Sequence, residues 1–418
     1  VGYAALDANT TASFNTALGS YGLGANTTGA NNTGVGYEAL SANTTASNNT
    51  GLGFQSLASC TTGTENVAVG SGALSNVSTH NQHVAVGYQA LQAVNGTGGN
   101  TAMGWKSMHQ VTTGGMNTGL GKECMEGVTT GQQNTCVGDQ VMEGDGSTAV
   151  TGSYNVAMGL RAMEMATTAS YNTAIGYYAM QAITTGNNNT ALGSQALDSV
   201  TTGGNNTGLG FEALKALTTG DANVAVGYGA LKLNTGSVNV AVGKEALLSN
   251  TTGTNNVAIG AQTLEANTTA SYNTGVGYYA LGATTTTSYN TALGYQALKA
   301  NTQENNVAVG YNALLANTTG HSNTSVGSAA LDANTTGVKN VALGYAALTD
   351  NTTGSNNIAI GENCLADNTT ADNNIAIGMD ALRLNTTGDL NVAIGVGALD
   401  AATTADRNVA VGKDALSA

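Results

Sequence analysis

Residues 306–314, Asn-Val-Ala-Val-Gly-Tyr-Asn-Ala-Leu, contain the pattern that decides the fold of this chain. An aliphatic residue precedes a glycine, and Leu or Met follows four positions after the glycine. This pattern returns 25 times between Gly2 and Gly412, at a spacing of 17 residues except for one interval of 21 and two of 16. A period kept over a whole chain predicts a solenoid in which each repeat forms one coil.

Each repeat contains the elements of one coil. Val307-Ala308-Val309 alternates β-branched and small residues before the glycine, which favours a short strand. The following stretch, such as residues 244–248, is rich in helix formers, and it predicts either one helical turn or a second short strand with a bulge. Asn-Thr-Thr-Gly then supplies a turn. We therefore predict a repeat β-solenoid, a parallel β-helix or β-roll, of 25 coils of about 17 residues stacked in register.

Two columns of residues, defined by their distance from the repeat glycine, are predicted to form the core. They are the aliphatic residue before the glycine and the Leu or Met four positions after it. The predicted core residues are Leu6, Leu40, Leu298, Leu314, Val309 and Ile360. The column two positions before the glycine contains only Ala, Gly, Ser or Cys, so we expect another surface to pack closely against it. That surface is either a neighbouring chain or the Ala-Leu segment of the same coil.

A column of asparagines lies four positions before the glycine and is interrupted once, by His83. In register, these amides can form hydrogen bonds from coil to coil, which predicts a structural ladder. Its representative members are Asn15, Asn32, Asn49, Asn66, Asn306, Asn323, Asn340 and Asn357. A second Asn column, seven positions after the glycine, exchanges with Val and Ile and is also predicted to point inward. Its Asn-Thr-Thr sequences are therefore interpreted as structural rather than as glycosylation sites.

The composition excludes several classes of function. The 418 residues contain 11 Lys and Arg against 25 Asp and Glu, a net charge of −14, which disfavours a nucleic-acid partner. The longest apolar runs are far too short for a membrane-spanning segment. The four cysteines are too few and too scattered for a disulfide framework or a metal site, and Cys136, which stands where other repeats carry Ala or Gly, is interpreted as a small buried filler. Because no catalytic, phosphate-binding or calcium-binding motif occurs, we predict no enzyme activity, no cofactor and no metal.

One coil, at residues 139–158, is irregular because it carries a four-residue insertion around Glu143-Gly144-Asp145-Gly146-Ser147. Insertions in solenoids form loops on one face and often bind partners. Glu143 and Asp145 are therefore candidate interaction residues, and the alternative is a tolerated surface bulge. Residues 1–418 are otherwise predicted to form a single continuous solenoid shaft that is part of a longer chain.

Residues 306–314 and 357–365 resemble the YadA-like head repeat of trimeric autotransporter adhesins and related repeats of phage tail fibres. The resemblance covers essentially the whole chain. It implies a left-handed parallel β-roll, three chains side by side, and display outside the cell for attachment. The present repeat is longer, and its Ala-Leu and Thr-Thr-Gly portions are absent from the family pattern.

These observations favour a structural fibre at the cell surface, outside the cell or on a virion. The predicted partner is the chain itself, as a lateral homo-oligomer with a trimer favoured or as an end-to-end filament, and a host-surface receptor is a further candidate. Two alternatives remain. One is an ice-binding solenoid with rows of Thr, and the other is the shaft of a tail spike whose catalytic domain lies outside these residues.

Overall fold

The computed structural model describes residues 1–96 and 98–417, and it is a parallel β-solenoid. The predicted fold class is therefore confirmed. Each coil contributes one three-residue strand, and the described part of the chain contains 24 strands. The chain comprises two compact units, Val1–Leu209 and Gly210–Ala418, with twelve strands in each. Because 24 strands delimit about 23 complete turns, the predicted count of 25 coils is slightly too high.

The strands of the first unit pair in parallel with their neighbours, one repeat apart. For example, Thr33 lies opposite Thr50, and Val35 lies opposite Leu52. The strands are β1 Thr16–Leu18, β2 Thr33–Val35, β3 Thr50–Leu52, β4 Val67–Val69, β5 Val84–Val86, β6 Thr101–Met103, β7 Thr118–Leu120, β8 Thr135–Val137, β9 Val156–Met158, β10 Thr173–Ile175, β11 Thr190–Leu192 and β12 Thr207–Leu209.

The second unit repeats the same arrangement. Val307 lies opposite Thr324, and Val309 lies opposite Val326. The strands are β13 Val224–Val226, β14 Val240–Val242, β15 Val257–Ile259, β16 Thr274–Val276, β17 Thr291–Leu293, β18 Val307–Val309, β19 Thr324–Val326, β20 Val341–Leu343, β21 Ile358–Ile360, β22 Ile375–Ile377, β23 Val392–Ile394 and β24 Val409–Val411.

The stretch after each glycine is a pair of turns, and no helix forms in residues 1–96 and 98–417. The predicted helical turn is therefore wrong. Asn312 and Leu314 have φ values of 55° and 52°, which lie in the left-handed region that a right-handed helix cannot contain. Their N–H groups donate to the neighbouring coils, to Tyr295 O at 3.0 Å and Ala330 O at 3.1 Å. Hydrogen bonds between coils replace those that a helix would make within itself.

The two faces of each strand differ from the sequence-based prediction. Leu40, Leu298 and Leu314 are fully buried, as expected, and Leu6 in the first coil is only half-buried. Val309 and Ile360 are also half-buried, because they lie on the outer face of the sheet. Predicting the column before the glycine as core was therefore wrong.

The column of small residues faces inward instead. A Cβ atom added at Gly51 would lie 2.9 Å from Ser56 Oγ of its own coil and 3.4 Å from Leu40 Cγ of the preceding coil. Ala308, at the equivalent position in its coil, is fully buried. The narrow interior of the coil therefore accounts for the small side chains, as in the intrachain alternative, and no neighbouring chain is needed to explain them.

The repeat glycine is required by the close approach of successive coils. Gly310 has a φ of 141°, a conformation that residues with a side chain rarely adopt. A Cβ atom there would collide with the backbone carbonyl of Gly327, the corresponding glycine of the next coil. Any side chain at this position would push two coils apart.

Candidate functional site

The inner Asn column joins successive coils through the backbone. Asn340 is representative: its N–H donates to Asn323 Oδ1 at 2.9 Å, and its Nδ2 donates to Gly354 O at 2.8 Å. Each side-chain oxygen thus accepts the backbone N–H of the next Asn, and each side-chain nitrogen anchors a turn. The structure buries Asn32, Asn49, Asn66, Asn306, Asn323, Asn340 and Asn357, and it leaves Asn15 half-buried.

A second ladder follows the Asn-Thr-Thr turns. Asn334 Nδ2 donates to Asn317 Oδ1 at 2.7 Å, and Thr335 Oγ1 donates to Thr352 O at 2.9 Å. The next residue, Thr336, is exposed. The first Thr of each pair therefore helps to hold the stack, whereas the second Thr forms an exposed row.

His83 replaces Asn in the inner ladder, and a nitrogen of its ring accepts the hydrogen bond that an Asn side-chain oxygen accepts in the other coils. Its N–H donates to Asn66 Oδ1 at 3.0 Å, and its Nδ1 accepts the N–H of Asn100 at 3.4 Å. That acceptor role requires a neutral ring. Burial lowers the pKa of His83 to about 4, and the nearby His80 lowers it further.

The outer sheet face is an uncharged surface that runs along the strands of each unit. In every strand, the first and third residues point outward, and none of these residues is charged. Beside them runs a column of exposed aromatic residues, in which the Tyr295 ring stacks on Tyr278 at 5.6 Å and on Tyr311 at 5.3 Å between ring centroids. Sequence reasoning missed this face because it assigned the third residue of each strand to the core.

The insertion separates its two candidate residues. Asp145 is exposed, and its Oδ1 accepts the N–H groups of Ser147 at 2.9 Å and Thr148 at 2.6 Å. These backbone hydrogen bonds lower the pKa of Asp145 to about 2. The carboxylate therefore has a structural role in ordering the loop.

Glu143 lies half-buried in a cluster of carboxylates. Oxygen atoms of Glu123, Glu126 and Glu143 lie within 4.8 Å of one another. Burial and then these neighbouring charges raise the pKa of Glu143. Carboxylate oxygens are ligands for hard cations, but here Lys122 Nζ lies 2.8 Å from Glu123 Oε2 and Lys106 Nζ lies 3.6 Å from Glu126 Oε1. Two of the three carboxylates are therefore already paired with lysines.

The four cysteines are buried free thiols. Burial raises the pKa of Cys60 to about 11 and that of Cys364 to about 12. At neutral pH these two thiols stay protonated, which is the behaviour of structural cysteines.

Fold and surfaces together define the class of the chain: it is a parallel β-solenoid repeat protein. Neither the models of known protein families nor the curated proteins yield a match to its sequence. Within residues 1–96 and 98–417, no helix has the length and hydropathy needed to cross a membrane.

Proposed function

We propose that this protein is a structural element of a fibre, without catalytic activity, and that copies of the chain associate laterally through the outer sheet face. The observation that carries the proposal is the uncharged, apolar outer face. It is supported by the inner Asn ladder, which repeats the same hydrogen bond between successive coils, as from Asn323 to Asn306, Asn340 to Asn323 and Asn357 to Asn340. A regular stack of this kind is suited to a mechanical role, because no coil differs enough from the next to gather unlike catalytic groups.

The outer face of the second unit has the size and composition of a stable interface. Strands β13–β24 present 24 outward residues, of which 21 are Val, Ile or Leu and three are Thr. All of them remain partly or largely exposed. A standard protein interface uses about 20 to 30 residues on each side. A contiguous apolar surface of this extent is rare on a monomer and marks an interaction site.

A second copy of the chain is the partner that fits this face. The chain carries a net charge of −14, so two copies repel each other in general. The outer face contains no charged side chain, and its columns repeat at the same coil spacing in every copy. Two copies therefore match in register over many coils, in an isologous pair or around a three-fold axis. The resemblance to trimeric adhesin repeats favours the three-fold form, located at a cell surface, outside the cell or on a virion.

The first unit is expected to contribute less to association. Its strands β1–β12 present 13 Val, Ile or Leu residues, two Met and nine Thr on the outer face. The greater polarity of this face lowers the free energy gained by covering it. It also leaves the first unit as the better candidate for contact with a host-surface receptor.

The test is the oligomeric state of the 418-residue chain by sedimentation and light scattering at micromolar concentration. We expect an oligomer, and we expect a triple variant with Val341→Lys, Ile358→Lys and Ile375→Lys to be a folded monomer by circular dichroism. These residues are the first residues of three adjacent strands on the outer face.

A matched control places the same three charges on another face, at the turns that precede the same three strands. Thr336→Lys, Thr353→Lys and Thr370→Lys alter exposed residues of the turn segment. This variant should remain an oligomer. A monomeric wild-type chain, or equal dissociation of both triple variants, would refute association through the outer face.

Ice binding is a second candidate because of the exposed Thr row that includes Thr336, Thr353 and Thr370. Hydroxyl and methyl groups repeated at the coil spacing of about 4.8 Å form a regular surface that could order water. Thermal hysteresis of the wild-type chain, abolished by the control variant with three Lys in this row, would establish it. Absence of thermal hysteresis at millimolar concentration would exclude ice binding.

A further inference from the structure

Two columns of the solenoid meet across each pair of successive coils. One column is the third residue after the glycine, and the other is the small residue two positions before the next glycine. A Cβ atom added at Gly119 would lie 3.1 Å from Ser107 Oγ, and Cys364 Sγ lies 3.1 Å from Ala376 O. The γ atom in the first column is therefore in contact with the residue in the second column.

Cys124 and Cys136 occupy these two meeting positions. Cys124 is the third residue after Gly121, and Cys136 is the second residue before Gly138. In a disulfide, each sulfur lies about 3 Å from the Cβ of the partner cysteine, given the S–S bond length and the bond angle at sulfur. The separation of 3.1 Å at Ser107 and Gly119 matches this value. We propose that Cys124 and Cys136 form an intrachain disulfide when the protein folds under oxidising conditions.

The neighbouring contacts are consistent with this pairing. Both thiols are buried, and Cys136 Sγ also lies 3.3 Å from Met142 Sδ, so the surroundings are apolar. Burial raises the pKa of Cys136, and the adjacent Cys124 raises it further. The other two cysteines, Cys60 and Cys364, have no cysteine at a meeting position.

The reaction is a two-step exchange with a low-molecular-weight disulfide such as oxidised glutathione. The thiolate of one cysteine attacks that disulfide, which forms a mixed disulfide and releases one glutathione thiolate. The second cysteine loses its proton and attacks the mixed disulfide, which releases the second glutathione thiolate. The protein loses two protons and two electrons, and one glutathione disulfide is reduced to two thiols. Because both thiols are buried in the folded protein, the exchange takes place during folding, while the two cysteines are still accessible to glutathione.

The crosslink would lie beside the longest interval of the Asn ladder. Directly after Cys136 comes the insertion, where the ladder spans 21 residues, from Asn134 to Asn155, instead of the usual 17. Closing the segment between Cys124 and Cys136 restricts the unfolded chain next to this longer repeat. Opening of β8 should therefore become rarer in the oxidised protein.

Mass spectrometry gives a direct test. The 418-residue chain is refolded with oxidised and reduced glutathione or with a reductant, alkylated in denaturant, and digested with trypsin. Cleavage after Lys122 and Arg161 leaves both cysteines in one peptide, residues 123–161. After oxidative refolding we expect this peptide without alkyl groups and about 2 Da lighter than its dithiol form, and we expect Cys60 and Cys364 to be alkylated. Alkylation of all four cysteines would overturn the proposal.

Two variants control for folding and for specificity. Cys124→Ser introduces a residue that occurs in the same column at Ser56 and Ser107, so it should fold, leave Cys136 alkylated and prevent the crosslink. Cys60→Val introduces a residue found in its own column, at Val77, and should keep the crosslink. We expect amide exchange in β8 to be at least 10-fold slower in the oxidised wild type than in oxidised Cys124→Ser. Equal exchange rates would contradict the reinforcement.

Discussion

Acidification should open the inner ladder at His83, and the structure fixes the sign of this effect. His83 Nδ1 accepts the N–H of Asn100, so the folded coil needs the neutral ring. Burial lowers the pKa from 6.5 to about 4. A group whose pKa is lower in the folded state contributes stability that is present above its unfolded pKa. This stability is lost as the pH falls from 6.5 towards 4.

The size of the effect follows from the two pKa values. A difference of about 2.5 pH units between the folded and unfolded states corresponds to about 3 kcal/mol of local stability, lost in full below pH 4. At pH 5, where the folded ring is still mostly neutral, the loss is about 2 kcal/mol. This is enough to increase the open population of the coil about 30-fold.

Native-state hydrogen exchange at the Asn100 amide measures this opening directly, after correction for the intrinsic exchange rate at each pH. The control is His83→Asn, which restores the residue found at this position in the other ladder coils. Between pH 7.5 and pH 5, the wild type should lose about 2 kcal/mol more protection than the variant, because all other titrating groups are common to both. Equal losses in the two proteins would refute the assigned role of the ring.

Two further predictions concern the packing between coils, and hydrogen exchange within the affected coil measures both. Gly310→Ala should lower the local free energy of unfolding by more than about 3 kcal/mol, because the new Cβ would collide with the backbone of Gly327 and the φ of this position is unfavourable for Ala. Gly229→Ala should lower it by about 1 kcal/mol, because the nearest atom to its new Cβ is a side-chain carbon 3.5 Å away. Equal losses of stability in the two variants would show that neighbouring coils can move apart to accommodate the Cβ at residue 310. Leu314→Ala should lower the local free energy of unfolding by about 2 to 5 kcal/mol, because Leu314 is fully buried. Thr319→Ala, on the exposed surface of the same coil, should change it by less than about 0.5 kcal/mol.

The repeat architecture could be predicted from the sequence because one period controls every column. The prediction of the two strand faces was wrong for the column before the glycine, because its aliphatic residues were interpreted as core. Strand geometry alone indicates the correct assignment, because successive side chains of a strand point to opposite faces. If Asn306 points inward to form the ladder, Ala308 must also point inward and Val309 must point outward, as the structure shows. The ladder prediction and the core prediction were therefore incompatible from the start.

The turns after the glycine could not be predicted from helix propensity. Ala313 and Leu314 are good helix formers, but Leu314 adopts a left-handed φ so that its N–H reaches the next coil. The hydrogen bonds between coils outweigh the intrinsic helix propensity of these residues, which is worth less than about 1 kcal/mol per residue. The contact between Cys124 and Cys136 also depends on this turn geometry, and it follows from the sequence only once the meeting columns are known.

The four-residue insertion around residues 143–147 shows where this fold tolerates a change of length. Four extra residues leave the register intact, because Thr135 still lies opposite Val156 and Asn155 N–H still donates to Asn134 Oδ1 at 3.0 Å. The extra length is therefore confined to this corner and does not shift the strands that follow. We therefore expect this corner to accept grafted peptides, such as epitopes or metal-binding tags, without a shift of the strands on either side.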